Sequence, residues 1–207
     1  MFFVIILDYS HPPSAPFQQV GEGKKEISMI IKNTANRFGL VTIFIHWLMA
    51  LIMIGLVILG LYMTGLPVSL QKLRYYGWHK EFGLLILFLV MFRIVWRIGN
   101  ITPLFPDTMP QWEKLAARAV HWAFYFFMFA LPITGWLVTS AAGLPPSFFG
   151  LFTLPTLIAP NHDLQLLFAE IHEWLAYALI ATFCGHVGAA LKHHFIDKDE
   201  ILKRMLW

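Results

Sequence analysis

Two long stretches of this sequence contain no charged side chain, and this constrains the fold more than any other feature. They lie between Arg37 and Lys72 and between Arg118 and Asp163. Charged residues make up 13% of the 207 residues and hydrophobic residues 58%, whereas about 25% of a soluble domain is charged. So few charges cannot cover a soluble surface. The composition therefore indicates an integral membrane protein and excludes a soluble enzyme, a disordered chain and a disulfide-stabilised secreted domain.

Four stretches are long enough to cross a bilayer, which requires about 20 mainly apolar residues. We predict membrane-spanning helices at approximately Val41–Met63, Tyr76–Ile98, Ala119–Ser140 and Phe168–Leu191. Glycine and proline residues separate these stretches and prevent them from merging into longer helices. The sequence therefore predicts an all-α membrane protein, a bundle of four transmembrane helices.

The positive charges are distributed unevenly between the predicted connections. Twelve of the fifteen Lys and Arg residues fall at the two termini and around the second connection. The other three, on the opposite side, are Lys72, Arg74 and Lys80. Because positive residues accumulate in cytoplasmic segments, we expect both termini to lie in the cytoplasm. No run of Lys and Arg interleaved with aromatic residues indicates nucleic-acid binding.

Four histidines occupy positions that match in depth across the predicted bundle. His172 and His186 are separated by 14 residues on the fourth span, so they share one helix face and lie about 21 Å apart along its axis. Consecutive spans run in opposite directions, so His46 on the first span has the depth of His186, and His79 on the second has that of His172. Any one of these residues could be a packed histidine bonded to a backbone carbonyl. The pairing at two depths favours two metal-binding sites.

The residues that follow these histidines favour haem over a small ion. A small residue stands four positions after each of the four histidines, at Ala50, Gly83, Ala176 and Ala190. Such residues leave room for a porphyrin, although they also permit close helix packing. Zinc would be expected with cysteine or carboxylate ligands, and only Glu173 is close in the sequence. We therefore predict two haem b groups, with His46 paired with His186 and His79 paired with His172.

Three further residues near the cytoplasmic ends of the spans are candidates for cofactor binding. His121 is an alternative partner of His186, or a hydrogen-bonding or proton-transfer group. Arg93 and Arg97 could hold haem propionates, because guanidinium groups match carboxylates. They could equally be positive anchors at the membrane surface.

The three basic residues on the other side are more unusual, because that side should be poor in positive charge. Lys72, Arg74 and Lys80 surround the expected position of the His79–His172 haem. They could neutralise its propionates, or they could attract a small anion toward it. We name these three residues the basic group.

Several short motifs together resemble the bacterial cytochrome b561 family. They are Asn36–Phe38, Ile45–Trp47, Trp78–Lys80, Phe92–Arg97, His121–Tyr125, Ala130–Gly135, Ile171–Trp174 and Gly185–His194. The resemblance extends from about Asn36 to the C-terminus. We expect residues 1–35 to be an N-terminal extension and residues 36–207 to form the four-helix domain. Met29 directly precedes the region of resemblance and is the expected natural start, which would leave residues 1–28 outside the mature protein.

The resemblance implies a multi-pass protein of the bacterial inner membrane with two haem b groups and quinone as redox partner. It places the same four histidines, His46, His79, His172 and His186, at the ligand positions. One member type is a superoxide:ubiquinone oxidoreductase, so we expect superoxide oxidation at the periplasmic side coupled to ubiquinone reduction. The alternative is an electron-transfer membrane anchor between a dehydrogenase or hydrogenase partner and quinone. A haem-free structural bundle is a third hypothesis.

Overall fold

The computed structural model describes residues 31–206, most of which are helical. Its long helices are α1 (Leu40–Thr64), α2 (Leu70–Ile98), α3 (Gln111–Ala141) and α4 (His162–Lys192). Two short antiparallel strands, β1 (Ser147–Phe148) and β2 (Phe152–Thr153), form a hairpin between α3 and α4. The helical class is thereby confirmed. The expectation about Met29 lies outside the described residues.

Three of these helices are long and apolar enough to cross a membrane. They are Leu40–Thr64, Gln111–Ala141 and α4 with its extension to Asp197. The remaining helix, α2, has 29 residues and is therefore about 43 Å long, but charged side chains near both of its ends lower its mean hydropathy. Its crossing of the membrane, and hence the total of four spans, stays a prediction.

Two of the helices, α2 and α4, start several residues before the apolar stretches that predict them, and a polar residue caps the first turn of each. The side chain of Ser69 accepts a hydrogen bond from the backbone N–H of Lys72 at the start of α2. Asn161 accepts one from the N–H of Leu164 at the start of α4. Such caps satisfy backbone donors that have no partner within the helix. The caps therefore mark where α2 and α4 begin, whereas hydropathy predicts only the apolar part of each helix.

The core of the bundle is small and involves three helices. Each helix packs on its neighbour in the chain, most extensively α3 on α4. Five side chains form the buried cluster between α1, α2 and α3: Ile45, Met49, Ile86, Val90 and Met128. Much of the remaining apolar surface of the helices is exposed, as expected for helices that face lipid.

The residues after α4 are held against α3 by a cluster of charged groups. Lys192 Nζ lies 2.7 Å from Glu113 Oε1 and 2.7 Å from Asp197 Oδ2. The buried side chain of His193 contacts Asp199 Oδ2 through Nδ1 at 2.7 Å. Glu113, His193 and Asp197 are close enough to hold a metal ion, but the ammonium group of Lys192 already supplies a cation between the two carboxylates. This cluster therefore fastens the C-terminal segment to the bundle.

The C-terminal segment then folds back across the ends of other helices. Trp47 Nε1 donates a hydrogen bond to the backbone carbonyl of Met205 at 2.8 Å. Arg204 donates one to the carbonyl of Leu104 at 2.6 Å. These two bonds connect the segment to α1 and to the α2–α3 connection, so residues 198–206 cover the end of the bundle at which His46 lies.

The connection between α3 and α4 folds back along the bundle and does not project beyond it. The ring of Phe148 packs on that of Phe88 with centres 5.2 Å apart, and Phe149 packs on Phe82 at 5.4 Å. Counted from the first residue of α2, these two partners lie about 27 and 18 Å along the helix. The hairpin therefore reaches the middle of α2.

The backbone of this connection is hydrogen-bonded as an apolar environment requires. Leu154 N–H donates to the carbonyl of Pro146 at 2.9 Å, and Leu157 N–H donates to the hydroxyl of the buried Ser140 at 3.0 Å. Gly150 has a φ of 71° and supplies the positive φ that the tight turn needs. No charged residue occurs between positions 142 and 161. We therefore expect the hairpin to lie within the bilayer.

This depth can be tested by thiol labelling in proteoliposomes. In a Cys184→Ala background, Thr153→Cys in β2 should react at least about 10-fold more slowly with a charged maleimide than Gln71→Cys at the exposed start of α2, because a thiol in lipid is shielded from water. The reagent is loaded on both sides of the membrane, and both variants should react equally in denaturing detergent. Equal rates in the intact bilayer would place the hairpin in water.

The charged cluster after α4 gives a second prediction, measured by trypsin cleavage after Lys198 in detergent solution. Glu113→Gln removes a carboxylate that contacts both Lys192 and His193, so the C-terminal segment should be cleaved faster. Glu200→Gln is the matched control, because its ion pair with Lys203 is solvent-exposed and such pairs contribute little. If both variants are cleaved at the wild-type rate, Glu113 does not hold the segment.

Candidate functional site

The helices bring three histidines together at one level of the bundle. The ring centre of His186 on α4 lies 6.4 Å from that of His46 on α1 and 5.7 Å from that of His121 on α3. We name these residues the histidine cluster. The ring of Phe124 packs edge-on to His186 at 5.3 Å, and the ring of Trp47 packs edge-on to His46 at 5.5 Å.

A second group of two histidines lies further along α4. The ring centres of His79 on α2 and His172 on α4 are 6.0 Å apart. We name these two residues the histidine pair. On α4 the two groups are separated by 14 residues, about 21 Å. The structure thus brings together the residues that the depth comparison pairs, and their role as iron ligands stays a prediction.

The distances between the ring centres, in the pair His79 and His172 and in the pair His46 and His186, fit a metal bound between the two rings. Metal–imidazole bonds of about 2 Å, together with the ring radii, place two ligand rings about 6 Å apart. A direct hydrogen bond between two imidazoles, with nitrogens about 3 Å apart, would bring the ring centres to about 5 Å. The observed 6.0 and 6.4 Å match the first arrangement. No hydrogen bond joins these rings among residues 31–206.

The environment of His79 favours a ligand role over a packing role. Its Nδ1 is buried and has no hydrogen-bond partner within the described part of the chain. A buried ring nitrogen without a hydrogen-bond partner destabilises the folded protein by about 1–3 kcal/mol. A histidine that served only for packing would therefore be expected to have a partner for this nitrogen. A Cβ added at Gly60 would lie 3.3 Å from His79 Cε1. The glycine therefore gives this ring its space on the α1 side.

Two neighbouring residues of α3, Thr134 and Gly135, lie against the same edge of the His172 ring. Thr134 Oγ1 lies 3.0 Å from its Nδ1. A Cβ added at Gly135 would lie 3.4 Å from its Cε1. With Nδ1 occupied by the hydroxyl group, Nε2 is the nitrogen that remains for a metal.

Thr134, Gly60 and Gly135 were not among the residues predicted from the sequence. One signal could have found the two glycines, because the 14-residue spacing of His172 and His186 recurs on every helix. It connects His46 with Gly60, His79 with Arg93, His121 with Gly135, and His172 with His186. Each helix therefore presents one residue to each level from a single face. Nothing comparable identifies Thr134, because threonine commonly bonds to its own helix backbone.

The histidine cluster contains both candidate partners of His186. His46 and His121 lie at similar distances from it, so the geometry does not select between them. The sequence around them still differs. Ala50 stands one turn after His46, whereas Tyr125 stands one turn after His121 and would crowd a porphyrin. Of the two, His46 is therefore the predicted ligand.

Two arginines of α2 lie beside the histidine cluster. Arg93 is close enough to His46 and His121 to interact electrostatically with both. The guanidinium carbon of Arg97 lies 5.9 Å from the ring centre of Tyr125. Neither arginine forms an ion pair within the described residues. Two guanidinium groups without a carboxylate partner are suited to bind haem propionates.

The members of the basic group differ in their surroundings. Lys72 Nζ donates hydrogen bonds to the backbone carbonyls of Leu66 at 2.6 Å and Thr64 at 3.4 Å, so it caps the end of α1. Arg74 is solvent-exposed, and Lys80 is half-buried beside His79. Its charge and exposure make Arg74 the member best placed to meet a dissolved anion.

Comparison with known proteins agrees with this architecture. A family model described as prokaryotic cytochrome b561 matches residues 37–207. Cytochrome b561 homolog 2 of Escherichia coli (strain K12) is 39% identical over 189 residues, covering 86% of this chain and 95% of the relative. Cytochrome b561 homolog 1 of the same organism is 31% identical, with coverages of 83% and 97%. The probable superoxide oxidase CybB of Yersinia pestis is 32% identical, with coverages of 82% and 96%.

These alignments span nearly the full length of each relative, and the match to the family model includes both histidine groups. A match of this extent, over membrane-spanning helices that carry histidines at two levels, shows the family. The chain belongs to the prokaryotic cytochrome b561 family, whose members transfer electrons in the membrane with haem b.

Proposed function

We propose that this protein takes electrons from superoxide at the periplasmic face of the bacterial inner membrane and passes them to ubiquinone. The observation that carries the proposal is the presence of two histidine groups about 21 Å apart along α4. Four spanning helices, with both termini in the cytoplasm, would place the histidine pair near the periplasm and the histidine cluster near the cytoplasm. Electrons could then cross most of the apolar layer between two cofactors.

The proposed ligands are two histidines for each of two haem b groups. His79 and His172 would hold one group, and His46 and His186 the other, with Arg93 and Arg97 beside the second. When bound, haem b supplies one-electron redox chemistry. Since two histidines would hold each group, superoxide would give up its electron without binding to the metal. The residues therefore act by positioning, by excluding water and by directing charge.

The reaction balances with two superoxide ions for each quinone. Two superoxide ions lose one electron each and become dioxygen. One ubiquinone gains these two electrons and two protons and becomes ubiquinol. A one-electron donor and a two-electron acceptor need temporary storage, and two redox sites provide it. The chain has no flavin or nicotinamide motif, so NADH alone could not reduce it and another electron donor is required.

Two observations favour superoxide as that donor. The basic group lies at the end of the bundle closest to the histidine pair, and a cluster of positive charge raises the encounter rate with a small anion. One relative, at 32% identity, is named a probable superoxide oxidase. The purified protein should show a haem b absorption spectrum, be reduced by superoxide as sole donor, and reduce added ubiquinone. A protein that purifies without colour would contradict the proposal.

The ligand assignment predicts haem content. His172→Ala and His186→Ala should each lose one haem from a folded protein, since a single imidazole holds haem b weakly, and the two variants should lose haems with different spectra. Haem per protein is measured after extraction, with helical content as the folding control. His46→Ala should behave like His186→Ala. If His46→Ala instead keeps both haems and His121→Ala loses one, His121 is the ligand.

The basic group predicts a rate that depends on salt. Arg74→Gln should slow haem reduction by superoxide severalfold at low ionic strength, and Lys72→Gln with Arg74→Gln should slow it by about 10-fold. The dependence on salt should weaken in parallel. Stopped-flow absorbance measures the rate, and reduction by a neutral quinol should not change.

Lys203→Gln is the control for this experiment, because Lys203 is an exposed basic residue at the other end of the bundle. It should leave the superoxide rate unchanged. Wild-type rates in the Arg74→Gln and double variants at all ionic strengths would remove the support for superoxide. They would favour instead the membrane anchor that receives electrons from a partner protein.

A further inference from the structure

The hydroxyl group of Thr134 has three polar neighbours, and only one of them is a side chain. Its Oγ1 lies 2.8 Å from the carbonyl oxygen of Ala130 and 2.9 Å from that of Leu131. It also lies 3.0 Å from His172 Nδ1 on the neighbouring helix. A hydroxyl group has one hydrogen to donate and two lone pairs to accept with. The direction of each bond therefore follows from counting.

The hydrogen must point to the carbonyls. If Thr134 donated to His172 Nδ1, its oxygen would face two carbonyl oxygens at 2.8 and 2.9 Å with no hydrogen between them, and their lone pairs would repel. If it donates to the carbonyls, a lone pair remains for His172. The Nδ1 of His172 then carries the hydrogen and donates it to Thr134 Oγ1. The Nε2 of that tautomer is unprotonated.

The ring of His172 also lies close to the backbone of α3 on this edge. A Cβ at Gly135 would lie 3.4 Å from Cε1 and 3.7 Å from Nδ1, so this glycine gives the ring its space, as Gly60 does for His79. The ring of His79, the other member of the pair, differs in its hydrogen bonding. His79 has the corresponding glycine, Gly60, but its buried Nδ1 has no hydrogen-bond partner within residues 31–206. Of the histidine pair, His172 is therefore the ring with a side-chain hydrogen bond to a neighbouring helix.

We infer that Thr134 is a positioning residue of the histidine pair, which holds His172 as the Nδ1–H tautomer and leaves Nε2 as the metal-binding nitrogen. The inference rests on the proposed haem site for its redox consequence. The tautomer of His172 is a property of the protein alone and does not depend on haem. An acceptor on Nδ1–H raises the basicity of the opposite nitrogen, and removing such a partner costs about 10- to 100-fold in metal affinity.

The direction of the redox effect follows from the same bond. A more basic imidazole donates more charge and stabilises the oxidised, more positive iron. Removing the acceptor should therefore make the midpoint potential of one haem more positive. The haem of the histidine cluster, about 21 Å away, should keep its potential.

Thr134→Val removes the hydroxyl group with little change of shape, and Thr134→Ser restores it. Thr139→Val is the matched control. Thr139 also lies on α3, and its hydroxyl bonds to the carbonyls of Gly135 and Trp136 without contacting a histidine. Thr134→Ala is a second deletion in case valine packs badly, and helical content checks the fold of every variant.

The first measurement is chemical and uses no superoxide. Redox titration with dithionite and ferricyanide, followed by visible spectra, gives both potentials, and competition with apomyoglobin gives the haem affinity. We expect Thr134→Val to bind one haem about 10- to 100-fold more weakly with a more positive potential, and Thr134→Ser and Thr139→Val to match wild type. Unchanged affinity and potentials in Thr134→Val, or equal changes in Thr139→Val, would overturn the inference.

The second measurement uses haem-free protein, so it separates this inference from the proposed function. Imidazole ¹⁵N chemical shifts distinguish the two tautomers of a neutral histidine. His172 should be the Nδ1–H tautomer in wild type and Thr134→Ser, and a mixture of both tautomers in Thr134→Val. An Nε2–H tautomer in wild type would refute the inference even if haem and superoxide activity are as proposed. Inertness toward superoxide with the expected tautomer would refute only the proposed function.

Discussion

The spacing of 14 residues on a straight helix is the constraint on which the rest of this structure depends. Fourteen residues make about 3.9 turns, so two side chains so spaced share a face and are separated by most of the apolar thickness of a bilayer. Each helix uses this spacing once, and antiparallel packing aligns the resulting positions into two levels. The aligned residues at each level are histidine, arginine or glycine. The glycines give a ring its space, and we propose that the histidines serve as ligands and that the arginine balances charge.

Most of the site geometry could be predicted from the sequence, because it depends on helix periodicity and chain direction alone. The proximity of His79 to His172 and of His46 to His186 follows from depth. Contacts across helices could not be predicted in the same way. The cap that Lys72 places on α1 and the bond between Thr134 and His172 depend on side-chain rotation and on the exact offset of two packed helices. A hydropathy profile contains no information on side-chain rotation or on the offset between helices.

The connection between α3 and α4 shows a different limit of prediction. Its prolines and absence of charge exclude a helix and a long solvated loop, but they do not say what the segment packs against. The structure gives the answer in aromatic contacts between residues far apart in the chain, Phe148 with Phe88 and Phe149 with Phe82. An uncharged segment can lie in a bilayer only if its backbone groups are paired, and several groups of this segment are paired within the hairpin and with α3. Burial thus depends on local hydrogen bonding, which a hydropathy profile does not measure.

The two histidine groups differ in a way that matches the proposed direction of electron flow. Gly60, Gly135 and Thr134 lie at the rings of the histidine pair and do not titrate, whereas Lys80 lies half-buried beside His79. The histidine cluster contains a third imidazole, and if two of its histidines hold a haem, as proposed, the third is free for hydrogen bonding or proton transfer. Two arginines without carboxylate partners lie beside it. Oxidation of superoxide requires only electron transfer and attraction of an anion, whereas reduction of ubiquinone also consumes two protons. Groups able to handle protons are therefore needed only where ubiquinone is reduced, and the third imidazole of the cluster is suited to that role.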